Sequence, residues 1–190
     1  MARYTGPTRK YSRRFGLLPD SEEKHTRGGR RRKLSDYGKG LEEKQKLKFI
    51  YGVLERQFRG YYEKSLQLEG NTEEFFVQML ETRLDNIIFR LGYANTRPQA
   101  RQFVSHGHVY VDDVRVDVPS YQVKPGQIIT LKKSTLELND VKQNMEERRV
   151  TDLPDWIERK GTVGKMNRLP SLDDINLEVD VALIIEYYSR

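Results

Sequence analysis

From Leu41 to about Leu68 helix-forming residues dominate, and Leu47, Ile50, Leu54 and Phe58 recur at intervals of three or four. That spacing predicts a helix with one apolar stripe, and Lys44, Lys48, Arg56 and Arg59 fall on its opposite side. Gly70 and Asn71 interrupt the pattern, and Asn71 followed by Glu74 has the spacing of a capping box, so a second helix is expected to start there. Its stripe is Phe76, Leu80, Leu84, Ile87 and Leu91, with Gly92 as the stop. Thr96 with Gln99 repeats the capping spacing, and Pro98 falls in a first turn, where its missing N–H costs little. Phe103 and Val104 give this third, short helix its apolar side, and it should end near Gly107.

The period then changes. Val109, Val111, Val114, Val116 and Val118 flank Asp112-Asp113, which predicts a β-hairpin, and Ile128 to Leu131 follows the turn Lys124-Pro125-Gly126 as a further strand. Residues 72–131 thus read as helices followed by a small antiparallel sheet, one α+β module. Residues 137–160 are charged and read as helical up to Leu153-Pro154, with Trp156 and Ile157 as packing anchors beyond. Leu177, Val179, Val181 and Leu183 alternate with Glu178, Asp180 and Ala182, which favours a strand before the apolar ending Ile184, Ile185, Tyr187 and Tyr188.

Charge changes the picture at the N-terminus. The 190 residues carry 34 basic and 28 acidic side chains, net +6, and the first fifty residues hold 15 of the basic and 6 of the acidic ones. Residues 1–40 mix Gly, Pro and Ser with Arg9-Lys10, Arg13-Arg14 and Arg30-Arg31-Arg32-Lys33 and show no apolar period, so they read as an extended basic arm. A basic segment without an alternating apolar face suits a nucleic acid better than a membrane surface. No stretch approaches the roughly 18 to 20 apolar residues of a membrane span. A soluble intracellular protein is the expectation.

Reaction chemistry is missing from the motifs. There is no Cys, and His25, His106 and His108 stand in no metal-ligand spacing, so neither a metal nor a cofactor is expected. The pairs Asp112-Asp113 and Asp173-Asp174 read as turn residues. No nucleophile elbow, phosphate loop or dinucleotide fingerprint occurs, and no enzyme is expected. What remains is cationic. Arg83 and Arg90 are two helical turns apart, and Arg97 and Arg101 are one turn apart on the next helix, where the N–H groups after Thr96 also suit a phosphate oxygen. Ser105, His106 and His108 could add hydrogen bonds at the far end. Two readings stay open for this face: an anion site, or a solvated surface with ordinary salt bridges such as Asp85 to Arg83 or Arg90.

Three segments carry a resemblance: Arg83-Leu-Asp-Asn-Ile-Ile-Phe-Arg-Leu-Gly92, Thr96-Arg-Pro-Gln-Ala-Arg-Gln-Phe-Val-Ser-His-Gly-His-Val109, and Pro119-Ser-Tyr-Gln-Val-Lys-Pro-Gly126. In order and spacing they closely resemble the bacterial family of small-subunit ribosomal protein four. The likeness extends to Met1-Ala-Arg-Tyr-Thr-Gly-Pro7, Glu43-Lys-Gln-Lys-Leu47, Ile50-Tyr-Gly-Val-Leu-Glu-Arg-Gln-Phe-Arg59 and Glu186-Tyr-Tyr-Ser-Arg190. It implies an α+β protein in which a helical domain built from both chain ends, residues 41–82 and 146–190, carries an inserted small RNA-binding domain. That domain, residues 83–145, would be two helices packed on a small antiparallel sheet, preceded by the arm at residues 1–40.

The function implied is structural. The protein would be a primary binder of the 5′ domain of 16S ribosomal RNA that nucleates the body of the small subunit and contributes to translational accuracy, in the cytoplasm. Its partners would be that RNA, small-subunit protein five and messenger RNA where it enters the subunit, with no membrane. The RNA-binding candidates are Arg3, Tyr4, Arg13, Arg14, Arg30, Arg31, Arg32 and Lys33 in the arm, and Lys44, Lys48, Arg56 and Arg59 after it. In the small domain they are Arg83, Arg90, Thr96, Arg97, Arg101, Ser105, His106, Gly107 and His108. Many relatives carry a zinc-binding Cys cluster near the N-terminus, whereas here Arg9 and Ser12 stand at the first Cys-x-x-Cys pair and no Cys follows. Two competing functions use the same residues: an RNA-modifying enzyme with this small domain as an appendage, which would need a catalytic domain elsewhere, and a free regulatory RNA binder.

Overall fold

Ser35 and Asn71 begin helices for the same reason: each side chain accepts a backbone N–H that the helix itself leaves unpaired. Ser35 accepts from Gly38 and Asn71 from Glu73. The computed structural model describes residues 6, 8–17, 34–148, 153–175 and 178–189. They divide into two units, residues 1–62 with 178–190, and residues 63–177.

In the first unit, α1 (Thr8–Arg14) and α2 (Asp36–Tyr51) precede α3 (Glu55–Ser65), most of which belongs here. The stretch 1–40, expected to be an extended arm, is thus helical at Thr8–Arg14 and again from Asp36, and Tyr11 and Phe15 pack on Phe49. The single helix expected from Leu41 to Leu68 is two. Gly52 adopts a left-handed φ of 61° and donates to the carbonyls of Lys48 and Phe49, closing α2, and Leu54 falls in the exposed connection rather than on the buried stripe. The tail is a helix as well, α9 (Val181–Ser189), where alternation predicted a strand; Leu177 lies outside the described residues. Asp180 accepts the N–H of Leu183, and Val181 and Ile184 are buried at helical spacing. The helix packs on α2 at Gly40, where a Cβ would come 2.9 Å from the Leu183 carbonyl oxygen.

The second unit begins with α4 (Thr72–Glu81) and α5 (Leu84–Arg90), again two helices where one was expected. The break has a tertiary cause. Residues 119–123 take the backbone hydrogen bonds that a continuing helix would make: Leu84 N donates to Tyr121 O, Asp85 N to Pro119 O and Val123 N to Thr82 O. The helix α6 (Arg97–Ser105) starts where predicted, with Thr96 accepting from Gln99 N and the Gln99 side chain accepting from Asn95 N.

The sheet follows. Strands β1 (Val109–Val111) and β2 (Val114–Arg115) form a hairpin whose turn residues Asp112 and Asp113 both have left-handed φ, 49° and 62°. Next come β3 (Ile128–Leu131), α7 (Lys133–Leu136) and α8 (Asn139–Glu147), and then β4 (Ile157–Lys160) and β5 (Val163–Met166). The order is β2-β1-β3-β5-β4, antiparallel throughout. Thus the charged stretch expected to be helical as far as Leu153 ends its described helix at Glu147, and residues 157–166 add two strands to the sheet. Residues 153–175 belong to the second unit for that reason, whereas the family resemblance had grouped them with the chain ends.

The second unit's core is continuous. Leu84, Ile87 and Ile88 of α5 and its capping residue Leu91, with Ala100 and Val104 of α6, pack on Val109, Ile129, Leu131, Trp156 and Met166. Burying each large apolar side chain contributes roughly 1.5–3 kcal/mol. At Gly164 a Cβ would lie 2.4 Å from Leu91 Cδ1, so β5 and α5 meet backbone to side chain. Arg159, buried in β4, donates to the carbonyls of Leu91 (2.6 Å), Met145 (2.8 Å) and Arg148 (2.5 Å), joining the ends of α5 and α8 to the sheet. These links hold α5, α6 and the hairpin in fixed relation.

Candidate nucleic-acid interface

The arginines of α5 and α6 are engaged within the protein. Arg83 is not on the outer face expected for it: it precedes α5 rather than lying on it, is fully buried, and donates through Nε and one terminal nitrogen to the two Asp85 carboxylate oxygens at 3.0 and 2.6 Å. A guanidinium enclosed in this way supports Asp85 rather than meeting solvent. Arg90, the last residue of α5, pairs in the same two-pronged fashion with the buried Glu81. Arg97 donates to Asn86 at 2.8 Å and lies 4.4 Å over the Phe89 ring, which also carries Arg148 at 4.3 Å. Arg101 stands 4.0 Å from the Asp85 carboxylate. Of the two readings of this face, the salt-bridge one holds for Arg83 with Asp85, while Arg90 takes Glu81. Arg97 and Arg101 are part-exposed, and Thr96 is exposed at the start of α6.

The far end of α6 is different. Ser105 and His106 are exposed, His108 is half-buried, and Gly107 is buried between them. Gly107 has φ 68° and so makes the left-handed turn from α6 into β1; a Cβ there would come 2.1 Å from the Arg115 guanidinium, which covers it. Gly107 thus lies buried beneath Arg115, while its neighbours in the sequence reach the surface. The His106 and His108 rings are 6.1 Å apart. Lys132 donates its backbone N–H to His108 O across the sheet. Burial first, and then the positive fields of His106, Lys132 and Arg115, push the His108 pKa below its usual 6.5. Arg115 and Lys132 were missed by sequence reasoning, because only the pairing of β1 with β2 and β3 brings them beside the histidines.

In the first unit, Lys44 also departs from expectation. It is buried on the inner face of α2, donates to Glu55 at 2.9 Å and lies 4.5 Å over the Tyr187 ring. Lys48 donates to the other Glu55 oxygen at 2.5 Å, and Tyr188 to the first at 2.8 Å. Partial burial would raise the Glu55 pKa, but hydrogen bonds from Lys48, Lys44 and Tyr188 outweigh it and bring it down to about 2. Arg56, Arg59, Arg13 and Arg14 are exposed, and Arg14 approaches Glu42 at 3.7 Å. Arg3, Tyr4, Arg30, Arg31, Arg32 and Lys33 lie outside the described residues. Among the described residues no group of three His, Asp or Glu side chains could hold a metal ion, and no helix is long and apolar enough to cross a membrane.

What this arrangement offers is guanidinium, imidazole and hydroxyl groups, which suit the binding of a phosphate backbone. Comparison with known proteins agrees with that chemistry. Residues 82–129 match the S4 domain, and residues 3–81 match the ribosomal protein S4/S9 N-terminal domain. Proteins named small ribosomal subunit protein uS4 are similar along their whole length and the whole of this chain. The one from Geobacillus sp. (strain WCH70) is 44% identical, that from Thermoanaerobacter sp. (strain X514) 42%, and that from Opitutus terrae (strain DSM 11246 / JCM 15787 / PB90-1) 44%.

Proposed function

We propose, from the premise that this chain belongs to the uS4 family of small-subunit ribosomal proteins, that it binds the 5′ domain of 16S ribosomal RNA and nucleates the body of the subunit. The family is ribosomal and not enzymatic, and its RNA-binding module, the S4 domain, covers residues 82–129 here. The protein acts in the small subunit of the cytoplasmic ribosome by occupying a site on RNA, without turnover.

The observation that carries the finer reading is the rigid carriage of cationic groups on α6 and the hairpin. Arg97, Arg101, Ser105, His106 and His108 sit on elements locked by Arg159 and by the shared core, so their spacing survives without RNA. Fixed spacing selects an RNA by shape, and positive charge adds affinity. In this reading Thr96 belongs with these α6 and hairpin groups, and Arg13, Arg14, Arg56 and Arg59, with Arg3, Tyr4 and Arg30 to Lys33, make RNA contacts of their own. Lys44, Lys48, Arg83 and Arg90 act indirectly, by holding the helices. Small-subunit protein five and messenger RNA entering the subunit are its further neighbours, and an influence on translational accuracy follows from that position.

Filter-binding titration of the full chain tests this, using the five-way-junction RNA of the 5′ domain and an unrelated structured RNA at low and moderate salt. Preference for the junction that persists at moderate salt is the expected result. Equal affinities that fall together as salt rises would leave only non-specific charge and overturn the assembly reading.

A further inference from the structure

The four groups at the far end of α6 stand together, and no carboxylate among the described residues acts on His108 at their centre. Arg115 and Lys132 are exposed, and their side chains have neither hydrogen bond nor ion pair among the described residues. The groups that act on His108 from each neighbouring element are all cationic or imidazole: His106 from the end of α6, Arg115 from β2, and Lys132 from beyond β3. The Phe103 ring meets the His108 ring nearly at right angles, 6.4 Å between ring centres and 83° between planes. Within this cluster His108 Nδ1 is buried with no hydrogen-bond partner among the described residues. Burying an unpaired polar nitrogen is unfavourable, and gathering like charges adds to it. The turn is built to hold this arrangement, since only glycine at 107 lets the Arg115 guanidinium lie against the backbone between the two histidines.

We propose that His106, His108, Arg115 and Lys132 form a binding site for an RNA backbone phosphate, and that His108 takes up a proton as the phosphate enters. This rests on the RNA-binding reading and adds Arg115, Lys132 and the proton to it. In the free protein burial, and after it the surrounding positive field, disfavours imidazolium. A phosphate reverses that field, so the bound state favours the charged ring and the site gains a third cation. The proton comes from solvent, and no bond to phosphorus forms or breaks. The linkage sign follows: His108 has a pKa below 6.5 when free and a higher one when bound, so RNA affinity rises as the pH falls through the interval between them.

Calorimetric titration of the full chain with the junction RNA at pH 6, in two buffers of different ionisation enthalpy, counts the protons taken up. His108→Gln, Arg115→Ala and Lys132→Ala are compared with the parent, and the salt dependence of affinity is recorded for each. Net proton uptake is expected in the parent and is lost in His108→Gln. The parent should bind about three- to tenfold more tightly at pH 5.5 than at pH 7.5, beyond any change seen in His108→Gln. Arg115→Ala and Lys132→Ala should each lower the slope of log affinity against log salt by roughly 0.7–0.9. Nitrogen-15 spectra of the histidines in the unsubstituted protein, free and RNA-bound, read the same protonation without relying on a variant that folds.

Junction preference with no proton uptake and unchanged salt slopes would overturn the phosphate site while leaving the assembly function standing. Uptake that persists in His108→Gln would assign the proton to His106 or to an RNA base and overturn the role of His108. Loss of junction preference in the parent itself would overturn the site and the function together.

Discussion

The two ends of α6 carry similar cationic chemistry and use it in opposite ways. Beside its start, Arg83, Arg90, Arg97 and Arg101 meet Asp85, Glu81 and Asn86, and much of their hydrogen-bonding capacity is spent within the fold. Beyond its end, His106, His108, Arg115 and Lys132 stand together with no carboxylate among the groups acting on His108. A guanidinium bound to a buried carboxylate fixes the scaffold, whereas one held beside other cations is ready for an external anion. Counting basic residues does not distinguish these roles. Their partners do.

The comparison breaks most visibly at Asp85. Asp85→Ala leaves the enclosed Arg83 without its carboxylate and should destabilise the protein by about 3–5 kcal/mol, read as a lower urea midpoint with an unchanged slope. A loss below about 1 kcal/mol would mean that Arg83 is solvated after all. The next largest effect falls in the first unit, at Glu55→Gln, where the buried Lys44 keeps only a neutral partner; about 1–3 kcal/mol is expected, reduced because Glu55 is itself part-exposed.

That pair also predicts a pH dependence. Glu55 has a folded pKa of about 2 against an ordinary 4.5, so its contribution is complete above about 4.5 and disappears as the pH falls towards 2. Thermal unfolding followed between pH 6 and pH 2.5 should therefore show a smaller acid-induced drop in Glu55→Gln than in the parent. Parallel curves would remove Glu55 from the acid response.

Arg97→Ala sharpens the contrast, because this residue has one role on each side of it. It should cost about 1 kcal/mol through the lost Asn86 hydrogen bond and the Phe89 stacking, and together with Arg101→Ala it should weaken junction RNA binding in a chain that remains folded. Unchanged RNA affinity in that double variant would confine both arginines to the scaffold. Least disturbed of all should be Lys132→Ala, whose stability is expected within about 0.5 kcal/mol of the parent. A larger change would show that Lys132 supports the sheet and would weaken its place in the phosphate site.

Much of this was legible locally. Thr96, Pro98 and Gln99 announced α6, the paired aspartates announced the hairpin turn, and β3 fell on the residues its apolar run marked. The failures share a cause. One apolar stripe ran through Thr82 and Arg83 because periodicity does not register that residues 119–123 intercept the backbone there. Alternation at 177–183 suggested a strand, yet the Asp180 cap and the packing of α9 on α2 favour a helix. At the candidate interface, the order and spacing of the motif residues identified the family and the basic character of the surface. Arg115 and Lys132 carried no signal, since their residue types are common on any surface.

The amino-acid sequence by itself therefore determined the starts of α4 and α6, the hairpin turn, the absence of cysteine chemistry and the family, because each depends on residue identity and on spacings of a few positions. Tertiary structure alone decided which cations are spent and which are available. Arg159 reaches the Leu91 carbonyl across 68 residues, and the sheet sets Lys132 beside His108. The partner of a charged side chain is chosen by folding over such separations, and a charge is free to bind only where that folding brings it no opposite charge.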